Sequence, residues 1–248
     1  MKKMLFVAFL LIVGLQACDQ RSEAEKIVDL AIEAHGGKAF ERSQIEFDFR
    51  DIHYQIYKTA DSFEYTREFT DSTGLIKDVL NNSGFVRTLN GTRVDTLTEE
   101  RIGAFSRSVN SVAYFAFLPY GLNDPATIKE YLGEVSLNGE NYHLIKVTFE
   151  QEGGGEDYDD QFLYWIDTED YYVDFLAYSY HTDGGGVRMR EVSTSQEVGG
   201  IRFQNYLNYK PENKVTPVED LQELYETGQL ELLSEINLEN IKVKSLTP

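Results

Sequence analysis

The sequence predicts a mainly β protein with a few helices (α+β): a curled antiparallel sheet, or incomplete β-barrel, with helices plugging its concave face. Three observations carry this. Apolar and polar residues alternate over most of residues 44–210, the period of half-buried strands. Asn90-Gly91, Asn138-Gly139 and Gly199-Gly200 separate such runs, and Asn-Gly between alternating runs is a strong hairpin signal. Only three segments change to helical spacing, so the strand-helix alternation of a parallel barrel or doubly wound sheet is absent. Roughly ten consecutive antiparallel strands have to curl or close rather than stay flat.

The elements follow in order. Lys2 and Lys3 precede an apolar run, Leu5 to Leu15, too short to span a bilayer as a helix. It fits the core of a secretory signal. The run ends in Leu15-Gln16-Ala17-Cys18, which resembles the bacterial lipobox, and Cys18 is the chain's only cysteine. The expectation is a signal peptide over 1–17 and a single domain over 18–248, anchored by acyl chains on Cys18. Several acyl chains make such an anchor stable.

Ser22 to His35 reads as an amphipathic helix. Ser22 and Glu25 form a capping box, Ile27, Leu30, Ala31 and Ala34 recur at helical spacing, and Gly36-Gly37 supplies the stop. From residue 44 the period is two. Ile45, Phe47 and Phe49 share a face, and Ile52, Tyr54 and Ile56 continue it after a slip of phase, which predicts a β-bulge near Asp51. Further strands are expected at 63–69, 75–81, 84–90 and 92–97. Residues 98–118 return to helical spacing, with Ile102, Phe105, Val109, Val112 and Ala116 on one stripe. The end of this segment, 113–118, is apolar on every side and has to be buried or cover an apolar opening. Strands are then expected at 134–137, 142–150, 161–167, 171–182, 187–194 and 201–209. Thr216, Pro217 and Glu219 suggest a capped helix over about 217–229, and one or two strands close the chain between Leu232 and Val243.

Composition narrows the function. The 42 acidic residues against 23 basic ones leave a net charge of −19. That excludes a nucleic-acid binder, which needs a basic face, and disfavours adsorption to anionic lipid headgroups. One cysteine allows no internal disulfide and no cysteine-based metal site. The serine-hydrolase elbow, the zinc-protease His-Glu-x-x-His, the P-loop and the dinucleotide-binding glycine pattern are all missing.

Of the four histidines, His35 ends a helix, where a cation suits the dipole. His143 shares an apolar face with Ile145 and Val147, and His53 sits among Asp51 and Gln55 on a solvated face. The loop Glu152 to Asp160 carries Glu156, Asp157, Asp159 and Asp160, with His181 and Asp183 on the next strand end. Several oxygens on a glycine-rich loop suit Ca2+, although glycine with acid is also ordinary hairpin-loop chemistry. Arg188 and Arg190 lie on one strand face, opposite Val187 and Met189. They suit cross-strand ion pairs with Asp174 or Asp160, or an anionic headgroup. Aromatic residues occupy both faces of 161–167 and 171–180. A strand apolar on both faces is sandwiched or lines a cavity.

Four stretches, Ala34-His35-Gly36-Gly37, Phe117 to Asp124, Gly153 to Tyr158 and Gly200 to Gln204, together resemble a family of uncharacterised Gram-negative lipoproteins. That family is similar in architecture to lipoprotein-localisation carriers. The resemblance implies a cell-envelope lipoprotein, at the outer membrane, facing the periplasm or the surface. It also implies a helix-covered β concavity that binds or carries a lipid or acyl chain. Phe105, Val109, Val112, Phe115, Phe117, Trp165, Tyr178, Arg188 and Arg190 are its expected ligand-binding residues. No cofactor is required. Some relatives carry the label deoxyribose-phosphate aldolase. That activity needs a parallel barrel and a lysine of lowered pKa, whereas acidic surroundings raise a lysine's pKa. The rival readings are an enzyme on a small polar substrate, metal-assisted through residues 156–160 and His181, and an interaction module for envelope protein partners.

Overall fold

The computed structural model describes residues 21–59, 61–152 and 158–246, without the side chains of Arg42 and Asp183. The signal peptide and Cys18 lie outside the described residues, as do Glu156 and Asp157. Helix α1 spans Glu23–Ala34. Its capping box forms as expected: the Ser22 hydroxyl accepts from the Glu25 amide (3.2 Å), and the Glu25 carboxylate accepts from the Ser22 amide (2.6 Å).

Strands β1 (Ser43–Phe49), β2 (Ile52–Lys58), β3 (Phe63–Asp71), β4 (Gly74–Asn81), β5 (Gly84–Leu89) and β6 (Thr92–Arg93) follow. Helix α2 spans Glu99–Ala116. Then come β7 (Thr127–Leu137), β8 (Glu140–Phe149), β9 (Gln161–Asp167), β10 (Val173–Tyr180), β11 (Gly186–Val198) and β12 (Ile201–Lys210), helix α3 (Leu221–Glu226), and β13 (Glu231–Ile236) and β14 (Glu239–Ser245). The strands make two seven-stranded antiparallel sheets that do not close into a barrel. Their orders are β14-β1-β2-β3-β4-β5-β6 and β13-β12-β11-β10-β9-β8-β7. The last strand therefore pairs with the first, Ser245 opposite Ser43. The two-residue step from β13 to β14 carries the chain from the edge of one sheet to the edge of the other, where the Leu238 amide donates to Asn205 (2.9 Å). Among the described residues every strand pair is antiparallel, which excludes the parallel barrel of the aldolase.

Four expectations about the elements need correction. The phase slip near Asp51 is a two-residue hairpin turn, not a bulge. Phe49 pairs with Ile52 and Phe47 with Tyr54, and directly opposed residues share a face, so a tight turn shifts the phase as a bulge does. Arg50 takes the left-handed conformation there, φ 57°. The segment 92–97 yields only Thr92–Arg93, and the strand expected at 134–137 begins at Thr127. Pro217 leads into a 3-10 turn, Val218–Asp220, before α3, and the Thr216 hydroxyl donates to the Asn213 carbonyl instead of capping a helix.

Helix α1 packs on the second sheet through Ile27, Val28, Ala31 and Ile32. Helix α2 packs Val109 and Ala113 on the first sheet. Helix α3 and the preceding turn cover the other face of the second sheet through Val218 and Leu221. The second sheet is thus sandwiched. Phe162, Tyr164 and Ile166 of β9 face α1, and Leu163 and Trp165 face α3. This accounts for aromatic residues on both strand faces.

The end of α1 is pinned to the β11–β12 turn. The His35 carbonyl accepts from the Arg202 amide (2.9 Å). Gly36 has φ 123°, and a Cβ there would come within 2.5 Å of the Gly200 carbonyl oxygen. Burial corrects the reading of His35 as a cation that suits the helix dipole. The ring is fully buried, Nδ1 donates to the Ala31 carbonyl (2.8 Å), and burial pushes its pKa down to about 4. The ring is neutral at pH 7. Among the described residues no helix is long and apolar enough to cross a membrane.

Candidate functional site

Helix α2 lies between the two sheets and presents a different face to each. Val109, Val112, Ala113 and Phe117 pack toward the first sheet. Tyr114 and Phe115 pack toward the second. Arg107, Asn110 and Ser111, on the same face as Tyr114, border a cavity of about 810 Å³. Phe63, Tyr65 and Leu80 of the first sheet form one wall, and Phe149, Phe162, Tyr178 and Tyr180 of the second form the other. Polar residues complete the lining: Lys58 and Asp124, paired at 2.6 Å, with Asp160 and Thr182. Aromatic walls under a polar helix face make an amphiphilic lining, the usual character of a small-molecule pocket. A second hollow, about 520 Å³, is lined mostly by polar side chains, among them Gln44, Gln55, Glu64 and Asn81, with Tyr57 and Phe63.

The aromatic wall is continuous. Phe162 stacks with Tyr164 and Tyr178 at 6.0 and 5.4 Å between ring centroids. Phe115 meets Tyr178 at 5.2 Å, and the Tyr114 and Tyr164 hydroxyls are 2.8 Å apart. Burial pushes both phenols up, so they stay protonated.

The first half of α2 is locked by charge. Asp78, fully buried, receives Arg67 Nε (2.7 Å), Arg87 Nε (2.6 Å) and Arg87 Nη2 (2.7 Å). Arg67 Nη1 donates onward to the Ser108 hydroxyl of α2 (2.7 Å), and the Arg87 guanidinium lies 3.6 Å from the Phe105 ring centroid.

The chain matches, over residues 2–238, the model of a family of unknown function, DUF6503. It belongs to that family. Among solved structures it is similar to a LolA superfamily protein from Nitrosomonas europaea, at 11% identity over 92% of this chain and 96% of that one, with a TM-score of 0.52. It is also similar to a domain described as an outer membrane lipoprotein-sorting protein, from Vibrio parahaemolyticus, at 10% identity over 91% and 95%, with a TM-score of 0.47. The first of these shows a shared fold. No curated protein matches the chain.

In this DUF6503 member the expected ligand residues divide. Phe115, Phe117 and Tyr178 line the cavity. Val109 and Val112 hold α2 to the first sheet, and Phe105 is covered by Arg87. Trp165 does not reach the cavity, because strand alternation turns it to the α3 side, where its indole donates to Gln222 (3.0 Å). Arg188 and Arg190 sit behind the cavity wall and meet tyrosines rather than Asp174 or Asp160. Arg188 donates to the Tyr180 hydroxyl (3.0 Å) and Arg190 to the Tyr178 hydroxyl (2.8 Å). Phe63, Tyr65, Phe149, Phe162 and Tyr180 were missed as lining residues. Alternation along β9 and β10 places Phe162 with Tyr164 and Tyr178 with Tyr180, which was the available signal.

Asp159, Asp160 and His181 do converge, with one ligand atom from each within 4.8 Å of the others. His181 Nδ1 lies 3.3 Å from Asp159 and 3.9 Å from Asp160. These are three of the six residues expected there; Glu156, Asp157 and the Asp183 side chain lie outside the described residues. His143 is half-buried under Tyr171, with Nδ1 3.3 Å from the Tyr131 hydroxyl, and His53 is exposed and pairs with Asp48 at 2.7 Å.

Proposed function

We propose that this chain is an envelope lipoprotein that binds or carries an apolar or amphiphilic molecule in the cavity beside α2. The cavity carries the reading: about 810 Å³ between two aromatic walls, bordered by a helix whose apolar end, 113–118, sits between sheets rather than within one core. The fold shared with a LolA superfamily protein supports it as analogy of architecture. Loading proceeds by displacement of the 105–118 helix, with no covalent chemistry. Residues 1–17 are a leader that is removed, and Cys18 heads a single 18–248 domain that is tethered at the outer membrane, open to envelope protein partners.

Two experiments test this. Residues 19–248, purified from bacterial cells, are expected to show extra mass of lipid size in native mass spectra, lost on organic extraction. Bare protein that also takes up no acyl chain from detergent-free lipid dispersions sinks the reading. Cys18→Ser is expected to move the full chain from the membrane fraction to the soluble fraction. Unchanged membrane retention overturns the anchor alone.

A further inference from the structure

Arg190 is 8% exposed, yet among the described residues it forms no ion pair. Among the described residues its one hydrogen-bond partner is the Tyr178 hydroxyl, and its Nε is buried without a partner. Its guanidinium lies 3.7 Å from the Phe115 ring centroid, 5.2 Å from Tyr178 and 5.9 Å from Tyr206. Cation–π contacts recover part of its lost hydration, but a buried charge is ordinarily paired with its opposite. In a chain with 42 acidic residues a counter-charge was available, and none of the described ones is placed here. Two of the rings around it, Phe115 and Tyr178, form the cavity wall, so Arg190 stands one side chain behind that surface. Arg188 repeats the arrangement behind Tyr180. Each of these tyrosines accepts from an arginine and keeps its own O–H proton for a ligand oxygen.

We propose that Arg190, backed by Arg188, is the anion anchor of the α2 cavity, whose ligand is a single acyl chain ending in an oxyanion, carboxylate or phosphate. The guanidinium fork matches both heads. The volume accommodates one chain. At roughly 30 Å³ per water-sized group a twelve-carbon chain and its head need about half of the 810 Å³. Phe115 swings off Arg190 as the end of α2 moves, and the head takes its place while the chain lies along Phe162, Phe149 and Tyr65.

The inference rests on the cavity being the ligand site, and titration calorimetry separates the two. The lipid-free chain is titrated with dodecanoate, dodecyl phosphate and dodecanol. The anions are expected to bind about 10- to 100-fold tighter than dodecanol, the size of one or two charge-assisted hydrogen bonds. Arg190→Met is expected to remove that preference, leave dodecanol binding intact, and melt no lower than the unaltered chain. Arg190→Lys, which keeps the charge, is expected to keep part of the preference. Equal affinity for dodecanol and both anions overturns the anchor but leaves the cavity reading standing. No binding of any of the three overturns both. The comparison on the unaltered chain decides even where Arg190→Met does not fold. The tighter of the two anions names the head.

Discussion

Asp78→Ala is expected to cost about 3–5 kcal/mol of unfolding free energy, the usual result of stripping one partner from a buried ion cluster. Asp78 is fully buried and is held by both Arg67 and Arg87. Arg67 is 6% exposed and the Arg87 side chain 11%. Without the carboxylate two desolvated cations face each other. The loss also loosens α2, because Arg67 bonds Ser108 and Arg87 stacks on Phe105. Urea unfolding checks the magnitude. A triple variant, Asp78→Leu with Arg67→Met and Arg87→Met, is expected to recover much of the loss, since apolar replacement of a whole buried cluster is often neutral. A cost below about 1 kcal/mol, typical of exposed pairs, would show that water reaches the cluster.

Lowering the pH from 7 to 4 is expected to remove about 3 kcal/mol of stability through His35 alone. The folded ring titrates near 4 because burial disfavours its charge, with Arg202 adding to the effect and the Ala31 hydrogen bond opposing it. The unfolded ring titrates near 6.5. Between these values the unfolded chain binds the extra proton, so stability rises with pH. The contribution is complete above 6.5 and is lost as pH falls toward 4. The gap of roughly 2.5 pH units, at about 1.4 kcal/mol each, sets the size. Asp174 has the opposite sign. Burial, with Asp170 and Asp167, pushes its pKa up to about 6, so its contribution is present at low pH and lost as pH rises from 3.8 through 6. Subtracting the pH profile of His35→Gln from that of the unaltered chain isolates the histidine. Parallel profiles would show that the folded ring takes up protons as freely as the unfolded one.

Local signals were legible where one residue type has one physical use. The Ser22–Glu25 box and the turns at Asn90-Gly91 and Asn138-Gly139 formed as expected, each with positive φ at both turn residues. The turn at Arg50-Asp51 was not legible, since neither residue announces a left-handed conformation. Trp165 was misplaced because an aromatic residue on a strand signals burial but not which of two covered faces buries it. The arginines behind the cavity were legible as a pair, but their partners were not. The tyrosines they meet come from the adjacent strand β10, and only the Phe115 ring over Arg190 comes from α2, far along the chain. The buried cluster had a signal that went unused. Arg67 is in phase with Tyr65 and Phe69, Asp78 with Ile76 and Leu80, and Arg87 with Phe85 and Leu89. Opposite charges at apolar-phase positions of three adjacent strands mark an interior ion cluster. The cavity itself follows from how far α2 stands off each sheet, a distance no periodicity encodes.

The pairing of β14 with β1 has a consequence for assembly. Ser43 waits for Ser245, and β13 at the edge of the other sheet follows every strand but β14 along the chain. Until both are in place β1 and β12 each present a row of unsatisfied backbone donors and acceptors, the template on which strands of other chains add. Contacts so distant in sequence close slowly. The acidic surface, at −19, supplies mutual repulsion between chains during that interval.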